Sequence, residues 1–177
     1  MNKKRKPTYP ISELILNRHS SRAISDELLK EEEFMPLFEA ARWAPSSSNN
    51  QLWRFIYAKK NTHHWDLFFN LLNEGNKKWC KNAALLCIII SRKRAYYKDK
   101  PQITHSFEAG AAFENLALEG SRRNLVVHAM IGFDIEKARK VLQISDIWNI
   151  ECMICIGKKG KIEILDNKLI RFAHSSN

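Results

Sequence analysis

The eight-residue apolar run Ala83–Ile90, stopped abruptly by Ser91-Arg92, constrains this chain more than any other feature. A membrane-spanning helix needs about 20 apolar residues, so the run is too short to cross a bilayer. Leu85–Ile90 is continuous and rich in β-branched residues, the pattern of a strand buried on both faces. The start, Met1–Pro7, is basic but has no apolar stretch behind it, so it does not read as a signal peptide. A soluble, cytoplasmic protein is expected. We divide it into a basic tail over 1–10 and a single domain over 11–177, a length that buries roughly 70% of the unfolded surface.

The charge balance is 29 basic against 19 acidic residues, a net +10. Such a surplus suits polyanions, and nucleic acid has to be considered. The basic pairs Lys59-Lys60, Lys77-Lys78, Arg122-Arg123 and Lys158-Lys159 are scattered, however, which argues against one basic face. No recognised nucleic-acid motif accompanies them. A generally positive field, or a small phosphate-bearing ligand, accounts for the charge.

Helices are expected at Ser12–Asn17, capped by Ser12, and from Ser25-Asp-Glu onward, where acids favour a first turn. Phe34, Leu37, Phe38 and Ala41 form one apolar helix face, with Pro36 tolerable only near that helix's start. Strands are expected at Trp53–Ala58, Leu85–Ile90, Val126–Met130 and Glu151–Ile156. Helices are expected from Thr62, over Phe107–Arg123 and over Ile135–Leu142. Strands that do not alternate strictly with helices indicate an α+β domain.

Cys152-Met-Ile-Cys155 has redox or zinc spacing. In a strand, though, positions i and i+3 point to opposite faces, and no second ligand pair completes a tetrahedral site. The cysteines therefore read as structural. Dinucleotide, Walker, nucleophile-elbow and zincin motifs are all missing. Two polar loops remain. Arg18-His-Ser-Ser-Arg22 offers two guanidinium forks and two hydroxyls suited to a phosphate, although a solvated loop at a helix end has the same composition. Ala44–Phe55 sets Ser, Asn and Gln side chains against Trp53 and Phe55. That suits the edge of a polar heterocycle, or an ordinary helix-to-strand connection. Phosphate and heterocycle donors without a catalytic motif are what a cofactor-dependent enzyme needs.

Four blocks, in order, resemble the nitroreductase family of FMN-dependent oxidoreductases. Arg18-His-Ser-Ser-Arg22 resembles its flavin-phosphate motif. Ala40-Ala-Arg-Trp-Ala-Pro-Ser-Ser-Ser-Asn-Asn-Gln-Leu-Trp-Arg-Phe55 resembles its longest conserved-type block. Gly75-Asn-Lys-Lys-Trp79 and His128-Ala-Met-Ile-Gly-Phe-Asp134 resemble two further elements. The resemblance implies a central, mostly antiparallel sheet flanked by helices, in a homodimer with the flavin at the subunit interface. It implies that Arg18, His19, Ser20 and Arg22 hold the FMN phosphate, ribityl chain and pyrimidine edge. Pro45, Ser46, Ser47, Asn49 and Gln51 come from the other subunit. Asn76 bonds the flavin's polar edge or ribityl hydroxyls, and Met130, Ile131 and Gly132 lie near the isoalloxazine ring.

By the same resemblance, NAD(P)H delivers a hydride to the flavin, and an electron-poor acceptor such as a nitroaromatic or quinone is then reduced. No catalytic side chain, metal, nucleic acid or membrane is implied. Dehalogenation and flavin fragmentation on the same fold stay open. Leu52 stands where the family usually has proline, and Asn124 where glycine is frequent. Beyond Gly157 the match fades. Lys158, Lys159, Lys161, Lys168 and Arg171 all compete for a phosphate contact there, and the arm that embraces the partner in many members is short.

Overall fold

In the computed structural model, which describes residues 5–165, the apolar run lies inside a four-stranded sheet. Strand β1 spans Trp53–Lys59, β2 Leu85–Arg92, β3 Leu125–Met130 and β4 Trp148–Lys158. Their spatial order is β1-β2-β4-β3 and every pairing is antiparallel. No described helix is long and apolar enough to cross a membrane.

The alternation of β2 sets the layers. Leu86, Ile88 and Ile90 enter the core on one face, and Leu85, Cys87 and Ile89 enter it on the other. The first face is covered by α3 (Trp65–Phe69), α4 (Glu74–Cys80) and α6 (Ile135–Val141), through Trp65, Phe68, Trp79 and Ala138. The second is covered by α2 (Glu31–Arg42) and α5 (His105–Arg122), through Phe34, Leu37, Ala112 and Leu116. Ile88 and Leu37 are fully buried, and each such side chain contributes roughly 1.5–3 kcal/mol. Gly120 lets α5 lie close on β3, since a Cβ there would sit 2.5 Å from Val127 Cγ2. The short α1 (Glu13–Asn17) starts at Ser12, whose hydroxyl accepts the Leu14 N–H.

Two local expectations need correction. Ser25-Asp-Glu does not begin a helix. Ile24 bridges to Lys159 and the Ser25 N–H donates to the Lys158 carbonyl, so pairing with the end of β4 keeps this segment extended. The helix begins instead at Glu31, where the Glu33 carboxylate accepts the Lys30 N–H at 2.8 Å. Pro36 is the sixth residue of that helix rather than a residue of its first turn.

Cys152 and Cys155 do take opposite faces of β4, Cys155 toward α4 and Cys152 toward α5. All four cysteines are free. Burial pushes Cys152 up to about 11 and holds Cys87 and Cys155 well above the ordinary thiol range, so they stay protonated and unreactive.

A bulge interrupts β4. Its pairing with β2 steps from Ile89↔Cys152 to Ile90↔Ile150, leaving Glu151 as the extra residue. The Glu151 carboxylate accepts hydrogen bonds from the hydroxyls of Ser91 and Ser106. The Ser91 hydroxyl also lies 2.6 Å from His105 Nδ1. This cluster ties the end of β2 to the start of α5, across the excursion 93–104. Within the excursion Arg94 bridges to Pro101, and Arg92 and Arg94 share the Asp99 carboxylate at 2.9 and 2.8 Å.

Candidate functional site: a cationic cavity and two loops

The chain leaves α1 at Arg18 and enters a cavity of about 190 Å³ lined by Asn17, Arg18, His19, Ser21, Asn124 and Lys159 among others. Arg18 donates to the Ser20 hydroxyl at 3.3 Å and lies 3.7 Å from the Glu114 carboxylate on α5. Arg5 braces the loop from outside, donating to the carbonyls of Leu16 and Arg18. Burial lowers the His19 imidazole below its ordinary value, helped by the positive charges of Arg5, Lys159 and Arg18. A small cavity with Arg18 and Lys159 in its lining suits an anion. Among the competing basic residues Lys159 lines it, whereas Lys168 and Arg171 lie outside the described residues.

A second group gathers where α4 meets the end of β3. Asn73 caps α4 and accepts the Asn76 N–H at 2.8 Å, while its own N–H donates to the Gly132 carbonyl. Asn76 donates through Nδ2 to the same carbonyl at 3.0 Å and accepts from Trp79 Nε1 at 3.3 Å. A Cβ on Gly132 would come within 2.5 Å of Asn76 Nδ2 and 2.6 Å of Asn73 Nδ2. The close approach that requires glycine here is therefore to these two amides. Met130 is buried beside Cys80, but Ile131 is 79% exposed. Arg22 lies over the Trp79 ring, whose other neighbour is His128 at 4.5 Å.

His128 opens the last of the four sequence blocks without an assigned role, yet it joins the two groups. Its Nδ1–H donates to the Ser21 carbonyl at 3.0 Å, which fixes the tautomer because a carbonyl can only accept. Burial lowers its pKa, outweighing that bond, and Arg22 and His19 lower it further. Stability then depends on pH in a defined window. Above about 6.5 neither folded nor unfolded His128 carries charge. As pH falls below that value the unfolded chain takes up the proton first, so stability is lost. His19 acts in the same sense, whereas the depressed carboxylates Glu33 and Glu151 matter only at lower pH. Urea midpoints at pH 7.5 and 5.5 are expected to differ less in His128→Gln than in the wild type. Equal losses in both proteins would contradict this.

The third group, Pro45–Gln51, stands apart. Ser48, Asn49 and Gln51 have φ of 51°, 54° and 48°, left-handed conformations without a glycine. The Ser47 N–H donates to Glu108 on α5 at 3.0 Å, and the Gln51 N–H to the Ser46 hydroxyl at 3.1 Å. Gln51 lines a different cavity, of about 410 Å³, with Met35, Phe38, Trp53 and Phe55, and the two cavities share no lining residue. Within one chain, the structure brings Arg18, His19 and Ser20 together, and Arg22, Asn76 and Gly132 around Trp79. It does not bring Pro45–Gln51 into the cavity that Arg18 lines. Asn73, His128 and Glu108 are the neighbours that sequence reasoning left without a role, and Lys159 is one of the five basic residues among which it did not choose. Only Asn73 carried a local signal, as a helix cap followed by an acid.

These sites lie within a chain that has close relatives of known structure. The nitroreductase family model matches residues 15–75 and 62–158. A crystal structure described as an oxidoreductase containing FMN is 38% identical, covers 99% of this chain and 91% of its own, and superposes with a TM-score of 0.93. A Desulfovibrio desulfuricans protein, described as a nitroreductase in complex with FMN, is 23% identical over 84% of this chain and 86% of its own, with a TM-score of 0.72. Protein DrgA of Synechocystis is 28% identical over 164 residues, 76% of each chain. The fold, the family model and the 38% relative agree, and the chain belongs to the nitroreductase family.

Proposed function

We propose that this protein is an FMN-dependent oxidoreductase that works as a homodimer. NAD(P)H is its electron donor, and electron-poor small molecules such as nitroaromatics or quinones are its acceptors. The observation that carries the reading is the cavity between Arg18, His19 and Lys159. Its donors suit one terminal phosphate, and its loop is tied to the group around Trp79 through the Ser21 carbonyl, which accepts from His128.

FMN, when bound, supplies the hydride chemistry, so the protein's task is positioning and electrostatics. Arg18 and Lys159 hold the phosphate by charge-assisted bonds, with Ser20 adding a hydroxyl. Asn76 keeps one Nδ2 hydrogen for the ring's polar edge, because only the other is needed for the Gly132 carbonyl. Trp79, itself packed on His128, backs Arg22, and with FMN bound that charge would meet the pyrimidine edge and stabilise negative charge there. Ile131 presents an exposed apolar side chain to whatever lies over the ring. The partner subunit's Ser47 and Asn49 complete the pocket. No side chain is assigned a proton transfer in the hydride step.

The purified protein is expected to be yellow, to release FMN rather than FAD on denaturation, and to bleach on anaerobic addition of NADH or NADPH. Stoichiometric FAD, or a colourless protein that takes up no flavin on reconstitution, would overturn the reading.

A further inference from the structure

We infer that Glu108 is a positioning residue for the flavin pocket of the neighbouring subunit, acting through the loop Pro45–Gln51. The inference rests on the functional reading above, in which that loop completes the partner's site. Glu108 sits in the first turn of α5 and is 3% exposed. One carboxylate oxygen accepts both the Ser47 N–H at 3.0 Å and the Thr104 hydroxyl at 2.7 Å. Thr104 in turn accepts from the Gln102 side chain at 2.6 Å. The other oxygen is buried and has no hydrogen-bond partner among the described residues.

A carboxylate so poorly satisfied is a costly way to stabilise a core, and such groups call for another explanation. The loop supplies it. Three of its residues hold left-handed conformations that non-glycine residues resist. Strain of this kind persists only where the surroundings impose it. The Glu108–Ser47 bond reaches 61 residues along the chain and grips the loop immediately before the first left-handed residue, Ser48. Ser46 secures the far end through Gln51. Without the grip at Ser47, the loop is free to relax toward right-handed conformations that withdraw Ser47 and Asn49 from the partner.

Three variants test this. Glu108→Ala is expected to weaken binding of FMN and of riboflavin alike by about tenfold or more, since the loop does not face the phosphate. Glu108→Gln, which keeps an acceptor oxygen for the Ser47 N–H, is expected to recover most of that loss. Adding Ser48→Gly to Glu108→Ala is also expected to restore affinity, because glycine adopts the left-handed conformation without the grip. Hydrogen exchange on the apoprotein supplies a readout without flavin, in which the Ser47 amide is protected in the wild type and exposed in Glu108→Ala. If Glu108→Ala does not fold, Glu108→Asp serves instead, withdrawing the acceptor by one methylene while keeping the charge. Wild-type FMN affinity in Glu108→Ala, or in Glu108→Asp where it takes that variant's place, or an unchanged Ser47 amide in either, overturns the inference while leaving the functional reading intact. A wild type that binds no flavin overturns the functional reading itself, and with it the purpose assigned to Glu108.

Discussion

Two inactive variants of this protein, mixed and allowed to exchange subunits, are expected to regain activity. One carries Arg18→Ala and Arg22→Ala, and the other carries Ser47→Ala and Asn49→Ala. The expectation follows from the placement of the two loops. Arg18 lines one cavity and Gln51 another, with no lining residue in common. If each flavin pocket takes the cationic loop of one subunit and the Ser/Asn loop of its partner, a heterodimer has one pocket with both lesions and one with neither. Random exchange makes half the dimers mixed, so about a quarter of wild-type activity is expected in a closed two-fold dimer. Parents that are each nearly inactive make this a change from background to an easily measured rate. Were both loops to serve one pocket of the same chain, every pocket would keep a lesion and the mixture would stay inactive. Assembly and cofactor affinity are also linked, because a ligand that binds only the dimer stabilises it by mass action.

The second large effect concerns the cavity's cations. Hydrogen bonds to charged groups contribute roughly 1.5–3 kcal/mol each. Arg18→Ala is therefore expected to weaken FMN binding by about one to two orders of magnitude, and Lys159→Ala to act in the same direction. Riboflavin, which lacks the phosphate, is expected to bind both variants as it binds the wild type. Arg22 differs, because it lies over Trp79 rather than in the cavity lining. Arg22→Ala is expected to weaken both flavins together. Titration of the six pairings of variant and flavin by flavin fluorescence separates these cases. An Arg18→Ala variant that loses riboflavin as strongly as FMN would place the phosphate elsewhere.

The layers of the fold were legible because β2 is apolar at every position from Leu85 to Ile90, and its shortness and β-branched content favour a doubly covered strand over a buried helix. The cysteine reading succeeded for a related reason, since strand alternation sends Cys152 and Cys155 apart regardless of tertiary detail. What failed was long-range. Nothing near Ser25 announces that its N–H is taken by the Lys158 carbonyl, so a good local helix start was overridden by pairing with the end of β4. The site divided along the same line. Arg18, Ser20 and Arg22 are adjacent in sequence and could be grouped on sight. The contacts of Asn73 and Asn76 with Gly132, of His128 with Ser21 and of Glu108 with Ser47 span many tens of residues, and no periodicity encodes them.

The clasp around the excursion 93–104 has a consequence for how such a chain can diversify. Ser91, His105 and Glu151 lock together the two ends of the segment, and the Arg94–Pro101 bridge and the shared Asp99 carboxylate close it again further out. Beyond the clasp, the excursion meets the sheet through Tyr96, whose hydroxyl accepts from Arg54 of β1 at 2.7 Å. Each doubling of such a loop costs only about 0.6 kcal/mol in closure entropy, which the clasp does not pass on to β2. Tyr97 and Ile103, both largely exposed on this segment, can be replaced, or new residues inserted between them, while β2 and α5 hold their places. The fold thus keeps one stretch of sequence open to evolutionary experiment beside a core that tolerates almost none.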